Sequence, residues 1–265
     1  MKNLGLNKLF MSVEILSIIQ ARTGSSRLPK KVLFEIEGIP VIRHVYNRVS
    51  SSKLIDSTFV ATTDLIEDDG LVFFCEVNEI PVFRGSSSNV LDRFYQLAKL
   101  INPKYIVRIT SDCPVIDPQV IDHIIEEHLK GNFDYTSNTL EIPYPDGQDV
   151  EIFNFSSLEN AWQNARLASD LEHVTPYIKL NENKFRINKV LSKKSYSKYR
   201  WTLDEKEDFE LIKEFYKELY RENPLFGMKE LLKLNSEKPY LHKINSMHHR
   251  EEGYKKSLEN DYLVK

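Results

Sequence analysis

Residues 15–31 read ILSIIQARTGSSRLPKK, and no other stretch of the chain narrows the possible folds as much. Ile15, Leu16, Ile18 and Ile19 form an apolar run that breaks into Gln20, Ala21, Arg22, Thr23, Gly24, Ser25, Ser26, Arg27, Leu28, Pro29, Lys30 and Lys31. A short apolar run stopped by Gly and Pro predicts a buried strand, here emptying into a loop of small residues studded with cations. Gly24, Ser25 and Ser26 have little bulk, so backbone N–H groups can approach anionic oxygens closely. Arg22, Arg27 and Lys31 add formal charge, the arginines with a fork of donors that suits phosphate. This pattern predicts a phosphate cradle, although no G-x-x-x-x-G-K-[ST] spacing is present. The alternative is a surface turn with solvated basic residues. Against it stand four cations in residues 22–31, directly after the first buried strand.

Downstream, strands and helices alternate. Pro40 followed by Val41, Ile42, Val45 and Val49 predicts a helix over 40–50 with proline in its first turn. The run STFVAT (57–62) predicts a strand that delivers Thr63 and Asp64 to its carboxyl end. A helix over 67–79, a short strand over 81–83, a loop over 84–88 and a helix over 90–100 follow. The strand YIVRI (105–109) then runs into Thr110, Ser111, Asp112, Cys113 and Pro114. The next helix is well punctuated, with Asp117 as N-cap, Pro118 at its first position and Gly131 as its stop. Such alternation predicts right-handed crossovers and a mainly parallel sheet, whose ligand site lies at the carboxyl ends of the strands.

The second half is less regular. Strands are expected over 133–138, 150–153, 186–191 and 199–204, helices over 157–168, 207–220 and 228–234, and a Pro- and Gly-rich loop at IPYPDGQD. His173 falls in a loop or short helix interrupted by Pro176. No internal repeat occurs at solenoid periods. The tail carries His242, His248 and His249, but without Cys or acidic partners at ligand spacing it reads as a solvated tail rather than a metal site.

Composition serves to exclude. The 265 residues are 41% hydrophobic and 28% charged with a formal net charge of −3, inside the ordinary globular range. No broad basic field exists to hold a nucleic-acid backbone. No apolar run is long enough to span a bilayer and no signal peptide is evident, so a cytoplasmic location is expected. Cys75 and Cys113 form neither a disulfide scaffold nor a zinc spacing. The expected organisation is an extension over residues 1–12 that is disordered, a main domain over 13–235 with an acceptor and dimerisation subregion at about 140–200, and a tail over 236–265.

Asp112 and Asp204 each end an apolar run, so one sheet edge could bring both to the cradle. Carboxylate oxygens are what Mg²⁺ prefers, and it commonly bridges a few of them to substrate phosphates. Each Asp could instead cap the helix that follows it. With the cradle, the pair permits attack of an acceptor oxyanion on a phosphorus of a nucleoside triphosphate, with pyrophosphate leaving.

Several ordered motifs resemble the cytidylyltransferase family: I-I-Q-A-R-T-G-S-S-R-L-P-K-K (18–31), A-T-T-D (61–64), P-V-F-R-G with N-V-L-D-R-F (81–94), R-I-T-S-D-C-P-V-I-D-P (108–118), Y-P-D-G-Q-D-V-E (144–151), E-H-V-T-P-Y-I (172–178) and R-W-T-L-D (200–204). The likeness runs over about 14–235 and is closest to the spore coat polysaccharide biosynthesis protein F branch, beside the CMP-acylneuraminate and CMP-Kdo synthetases. It implies a Rossmann-like α/β nucleotidyltransferase fold, a mainly parallel mixed sheet flanked by helices. It also implies CTP and Mg²⁺, a sugar acceptor and a homodimer. By position, Arg22, Ser26, Arg27 and Lys31 would hold the triphosphate, with Thr23, Gly24 and Ser25 in the same loop. Gln20, Ala21, Thr63 and Asp64 would face the base and ribose, Asp92 and Arg93 would lie near the nucleotide, and Asp112 and Asp204 would bind Mg²⁺. Arg22, Lys31, Asp112 and Asp204 would carry the catalysis, and Tyr144, Asp146, Gln148, Asp149, Glu151 and His173 would meet the acceptor. Departures are Lys30, where the family often has Gly, and Gln148, where the branch commonly has an apolar residue.

The competing reading is a metal-dependent glycosyltransferase that consumes a nucleotide sugar. Its aspartates usually come as a close D-x-D, which S-D-C-P at Asp112 lacks. A non-catalytic nucleotide-binding module would not need both strand-end aspartates and the acidic loop. The tail beyond residue 235 could close over a site, mediate dimer contacts or pack inertly.

Overall fold

In the computed structural model, residues 13–141, 144–192, 194–250 and 252–264 are described. The extension expected over residues 1–12 and two residues of the Pro- and Gly-rich loop, 142 and 143, lie outside them. The first strand, β1 (Ile15–Gln20), leads through the cationic loop and a 3₁₀ turn (Lys31–Leu33) to the small hairpin β2 (Glu35–Ile36) and β3 (Ile39–Pro40). Then come α1 (Val41–Val49), β4 (Ser57–Thr63), a 3₁₀ turn (Ile66–Asp68), α2 (Asp69–Val77), β5 (Val82–Gly85), α3 (Val90–Ile101), β6 (Tyr105–Thr110) and α4 (Pro118–Lys130). The second half contributes β7 (Tyr135–Ser137), β8 (Glu151–Asn154), α5 (Phe155–Asn164), α6 (Ala168–His173), α7 (Pro176–Leu180), β9 (Ile187–Lys189), α8 (Lys206–Leu219), α9 (Met228–Glu237) and α10 (Glu252–Glu259). No helix among the described residues is long and apolar enough to cross a membrane.

The seven-stranded sheet runs β5-β4-β1-β6-β8-β7-β9. Neighbours are parallel except that β8 is antiparallel to both β6 and β7, which makes a mainly parallel mixed sheet. Because side chains alternate across a strand, β1 feeds two cores. Ile15 and Ile19 join Val41, Val45, Ile121, Ile124, Leu211 and Phe215 of α1, α4 and α8 on one face. Leu16 and Ile18 join Leu91, Phe94, Leu97 and Leu158 of α3 and α5 on the other. Both faces are covered, as a parallel sheet with βαβ crossovers requires.

Local signals were obeyed at α4. Asp117 caps it by accepting from Gln119 N at 2.8 Å, and its second oxygen accepts from Met228 N at 2.7 Å, tying α9 to the same corner. The strand expected over 199–204 did not form. Among the described residues that segment makes a single β-bridge, Arg200 to Asp146, because the loop over 144–150 rather than a full strand lies beside it. Gly147, at φ +96°, makes that approach possible, since a Cβ there would sit 2.6 Å from the Trp201 carbonyl carbon. Asp146, Arg200 and Asp204 are thereby held at one corner.

Candidate active site

At the carboxyl ends of β1 and β6 lies a cavity of about 400 Å³ whose walls include Gln20, Ala21, Arg22, Ser25, Ser26, Arg27, Lys31 and Arg93. The cationic loop is held there by a carboxylate that sequence reading did not single out. Buried Asp68 accepts from Thr23 N at 2.7 Å and Thr23 Oγ1 at 2.6 Å on one oxygen. Its other oxygen accepts from Thr62 Oγ1, Thr63 N and Thr63 Oγ1 at 2.9, 3.2 and 2.5 Å. Burial opposes its charge, yet the Thr23 and Thr63 donors outweigh that and hold its pKa below the usual carboxylate value. Thr23 O in turn accepts from Ser25 N at 3.0 Å and Lys30 N at 2.9 Å, which closes the loop on itself. Lys30 sits in the left-handed region, at φ 60°, the position where the family often has Gly.

Opposite the loop, Asp112 and Asp204 converge, as their places in the sequence suggested. Lys31 Nζ donates to Asp204 Oδ1 at 2.7 Å and to Asp112 Oδ2 at 3.1 Å. Arg27 Nη2 reaches Asp204 Oδ2 at 2.7 Å, and Thr110 Oγ1 donates to Asp112 Oδ1 at 2.5 Å. Burial disfavours charge on Asp112, but the Lys31 ammonium holds its pKa below the ordinary value. Arg93 is different. Its side chain is 1% exposed, and its Nε and Nη1 have no hydrogen-bond partner. Burial, with Arg22 as a second cause, pushes its pKa down to about 10. An unpartnered buried guanidinium in a cavity wall is costly without a ligand and well suited to an acceptor-rich one.

A second chamber of about 280 Å³ shares Arg108, Thr110 and His173 with the first. Its base is Glu151, buried and bound by Arg108, by Lys179 at 2.7 Å, and by the hydroxyls of Tyr135 and Thr175 at 2.5 and 2.7 Å. Burial alone would raise the Glu151 pKa; Lys179 and Arg108 instead hold it far below the usual range. His173 stands between the chambers. Burial, then the charge of Arg108, push its pKa down to about 4, so its ring is neutral near pH 7. Asp146 pairs with Arg200 at 3.0 Å, yet burial and neighbouring Asp149 raise its pKa to about 7.

The C-terminal segment covers both chambers, which sequence reading left open among three roles. Arg250 pairs with Asp149 and donates to Tyr144 O at 3.1 Å, and Glu252 lies 3.8 Å from Arg27. Tyr254 meets the His173 ring edge-on at 4.9 Å, and Ser257 Oγ lies 3.0 Å from His173 Nε2. Further along, α10 packs on α6, and Asp261 accepts from Ser169 Oγ at 2.6 Å. The mostly polar residues of this strap gave no sign in sequence of which surface it would cover.

Not every expected residue reaches a cavity. Thr23 and Thr63 are buried supports spent on Asp68. Gly24 and Asp64 are exposed beside the cavity rather than in its wall. Asp92 turns away, accepting from Trp162 Nε1 at 2.8 Å and Gln96 Nε2 at 2.9 Å. Tyr144 packs into the core. Gln148 is fully buried: its Oε1 accepts from Asp117 N at 3.0 Å and its Nε2 donates to Val115 O at 2.8 Å. There it pins the loop over 144–150 to the start of α4. Asp149, Glu151 and His173 do line the second chamber, joined by the unanticipated Arg108, Lys179, Arg250 and Tyr254. Arg108 was visible as a lone charge in the strand YIVRIT; Lys179 and the strap residues carried no such mark.

A cation-rich pocket beside paired carboxylates can bind a polyphosphate, neutralise charge developing on it, and present it to a group in the adjoining chamber. The sequence model described as cytidylyltransferase matches residues 16–247. The spore coat polysaccharide biosynthesis protein SpsF of Bacillus subtilis is 34% identical over 239 residues, 85% of this chain and 95% of that protein. A cytidylyltransferase structure from Leptospira borgpetersenii superposes with a TM-score of 0.82 at 29% identity, covering 90% of this chain and all of that one. A CMP-2-keto-3-deoxy-manno-octonic acid synthetase complexed with CTP shares the fold at a TM-score of 0.59 and 19% identity, over 77% of this chain and 99% of its own. A match over residues 16–247, together with a relative 34% identical over most of both chains, establishes that the chain belongs to the cytidylyltransferase family and is a nucleotidyltransferase.

Proposed function

We propose that the protein transfers CMP from CTP to a sugar acceptor of the sialic-acid-like or another surface-polysaccharide class, releasing pyrophosphate in a Mg²⁺-dependent reaction. One observation carries this reading: two chambers, one cationic with a pair of aspartates and one built on an ion-paired carboxylate, meet at Thr110 and His173. A group-transfer enzyme with two substrates needs that division, and a binding module does not. In this reading Arg22, Ser25, Ser26, Arg27 and Lys31 take the phosphates, and Arg93 gives its two unpartnered donors to the nucleotide. The octonic acid synthetase that shares this fold is complexed with CTP, which supports CTP as the donor here.

Asp112 and Asp204 are the residues that would hold Mg²⁺. The fit is supported by a cation already seated between them, the Lys31 ammonium. Among the described residues no group of three or more His, Cys, Asp or Glu could hold a metal, so substrate phosphates would complete the ligand set. When bound, the ion would neutralise charge on the phosphates. Asp149, Arg250 and Lys179 would orient the acceptor, and neutral His173 would contact it without adding charge.

We place the protein in the cytoplasm as a homodimer joined through about 150–200, where Leu180 and Leu191 are exposed; light scattering would find a monomer if that part is wrong. The reaction is tested by pyrophosphate release from CTP and Mg²⁺ with a panel of Kdo-like, sialic-acid-like and phosphorylated sugars, against ATP, GTP and UTP. Release with CTP and one acceptor class is expected; none with any pair would overturn the reading.

A further inference from the structure

Lys31 spends all of its donors inside the protein. An ammonium has three, and here they go to Asp204 Oδ1 at 2.7 Å, Leu203 O at 2.8 Å and Asp112 Oδ2 at 3.1 Å. None is left for a phosphate. The carboxylates are equally engaged, since Asp204 Oδ2 takes Arg27 and Asp112 Oδ1 takes Thr110. The ammonium therefore occupies the space between the two aspartates that a divalent cation would need. Two cations cannot share so enclosed a seat without strong repulsion.

The Lys31 backbone is held independently of its ammonium. It is fixed by the 3₁₀ turn, where Lys31 N donates to Leu28 O and Lys31 O accepts from Phe34 N. Only the four-carbon stem has to turn. A triphosphate on Arg22, Ser25 and Arg27 would offer the ammonium new acceptors in the same cavity, and a divalent ion would replace it at the aspartates.

We propose that Lys31 is a place-holder cation: without nucleotide it fills the divalent-metal seat and excludes the free ion, and triphosphate draws it off so that metal and nucleotide enter together. This rests on the reading of Asp112 and Asp204 as metal ligands. Its consequence runs against the usual effect of mutating a phosphate lysine, because losing Lys31 should improve binding of the bare metal.

The test uses Mn²⁺ alone as the probe, its binding to the full chain followed by electron paramagnetic resonance of the free ion. K31M is expected to bind Mn²⁺ at least tenfold more tightly than the native protein in the absence of nucleotide. K31Q, which removes the charge but keeps a polar side chain, should show the same direction and stands in if K31M does not fold. Adding D112N or D204N to either variant should abolish the gain. Equal Mn²⁺ affinity in native protein, K31M and K31Q would overturn the place-holder role, even if D204N still weakens metal-dependent CTP binding. A gain that survives D112N and D204N would overturn the assignment of the metal seat itself.

Discussion

Asp68 offers a test of how the cationic loop is held. Five donors converge on its two oxygens, and two of them are backbone N–H groups, Thr23 N on one oxygen and Thr63 N on the other. In D68N the hydroxyls of Thr23, Thr62 and Thr63 can turn to suit an amide, but a backbone N–H cannot. Asparagine has one acceptor oxygen, so either Thr23 N or Thr63 N must face its NH₂ group. A buried donor left unpaired costs ~1–3 kcal/mol, and the remaining bonds weaken because the acceptor is no longer charged. The sum is about 3 kcal/mol, or roughly 6–12 °C in Tm for a domain of this size. Loss at Thr23 would also release the loop that Thr23 O closes on Ser25 and Lys30. D68N should therefore raise KM for CTP about tenfold while lowering kcat less. T23S, which keeps the hydroxyl, should stay near native in both, whereas T23V should follow D68N in direction. Calorimetry and steady-state kinetics on the same preparations check this. A Tm within 2 °C of native together with an unchanged KM would refute the reasoning.

Arg93 should show the opposite balance. Its buried guanidinium has two unpartnered nitrogens, so R93M should leave Tm unchanged or raise it, by ~1 kcal/mol at most. CTP affinity by calorimetry should fall at least tenfold. His173 predicts a pH dependence of stability. Its folded pKa of about 4 lies below the ordinary 6.5, so the unfolded chain binds the extra proton between those values. The contribution is complete above pH 6.5 and is lost as pH falls toward 4, by about 3 kcal/mol at most. Urea unfolding of H173Q against the native protein should show a flatter profile across that window; parallel profiles would contradict it. The thiols should be inert. Burial pushes Cys75 up to about 12 and Cys113 well above its usual value, so neither should react with a thiol-specific dye at pH 8 until the protein unfolds.

What the sequence alone determined is what local pattern determines. The β1 strand, the cationic loop, the helix cap at Asp117 and the alternation of strands with helices are written in runs of a few residues. Handed crossovers then bring the loop after β1 and Asp112 after β6 to the same end of the sheet; Asp204 reaches it from a segment outside the sheet. Tertiary structure decided the matters that depend on partners distant in the chain. Asp68 lies 45 residues from the Thr23 it anchors, and nothing around it announces a five-donor acceptor. Gln148 looked like an acceptor contact but is turned inward, because two backbone groups at Val115 and Asp117 needed partners in a buried corner. The segment over 199–204 had a strand's composition, yet a strand needs a full-length neighbour, and it met only short stretches of backbone, Asp146 beside Arg200 and Asp112 beside Leu203. The strap is mostly polar, and its place over both chambers comes from Arg250, Glu252 and Tyr254 finding Asp149, Arg27 and His173. Sequence named the cations of the cradle; folding alone decided that Lys31 would rest on the two aspartates, because only the closed sheet edge leaves those carboxylates no nearer counter-charge than that ammonium and Arg27.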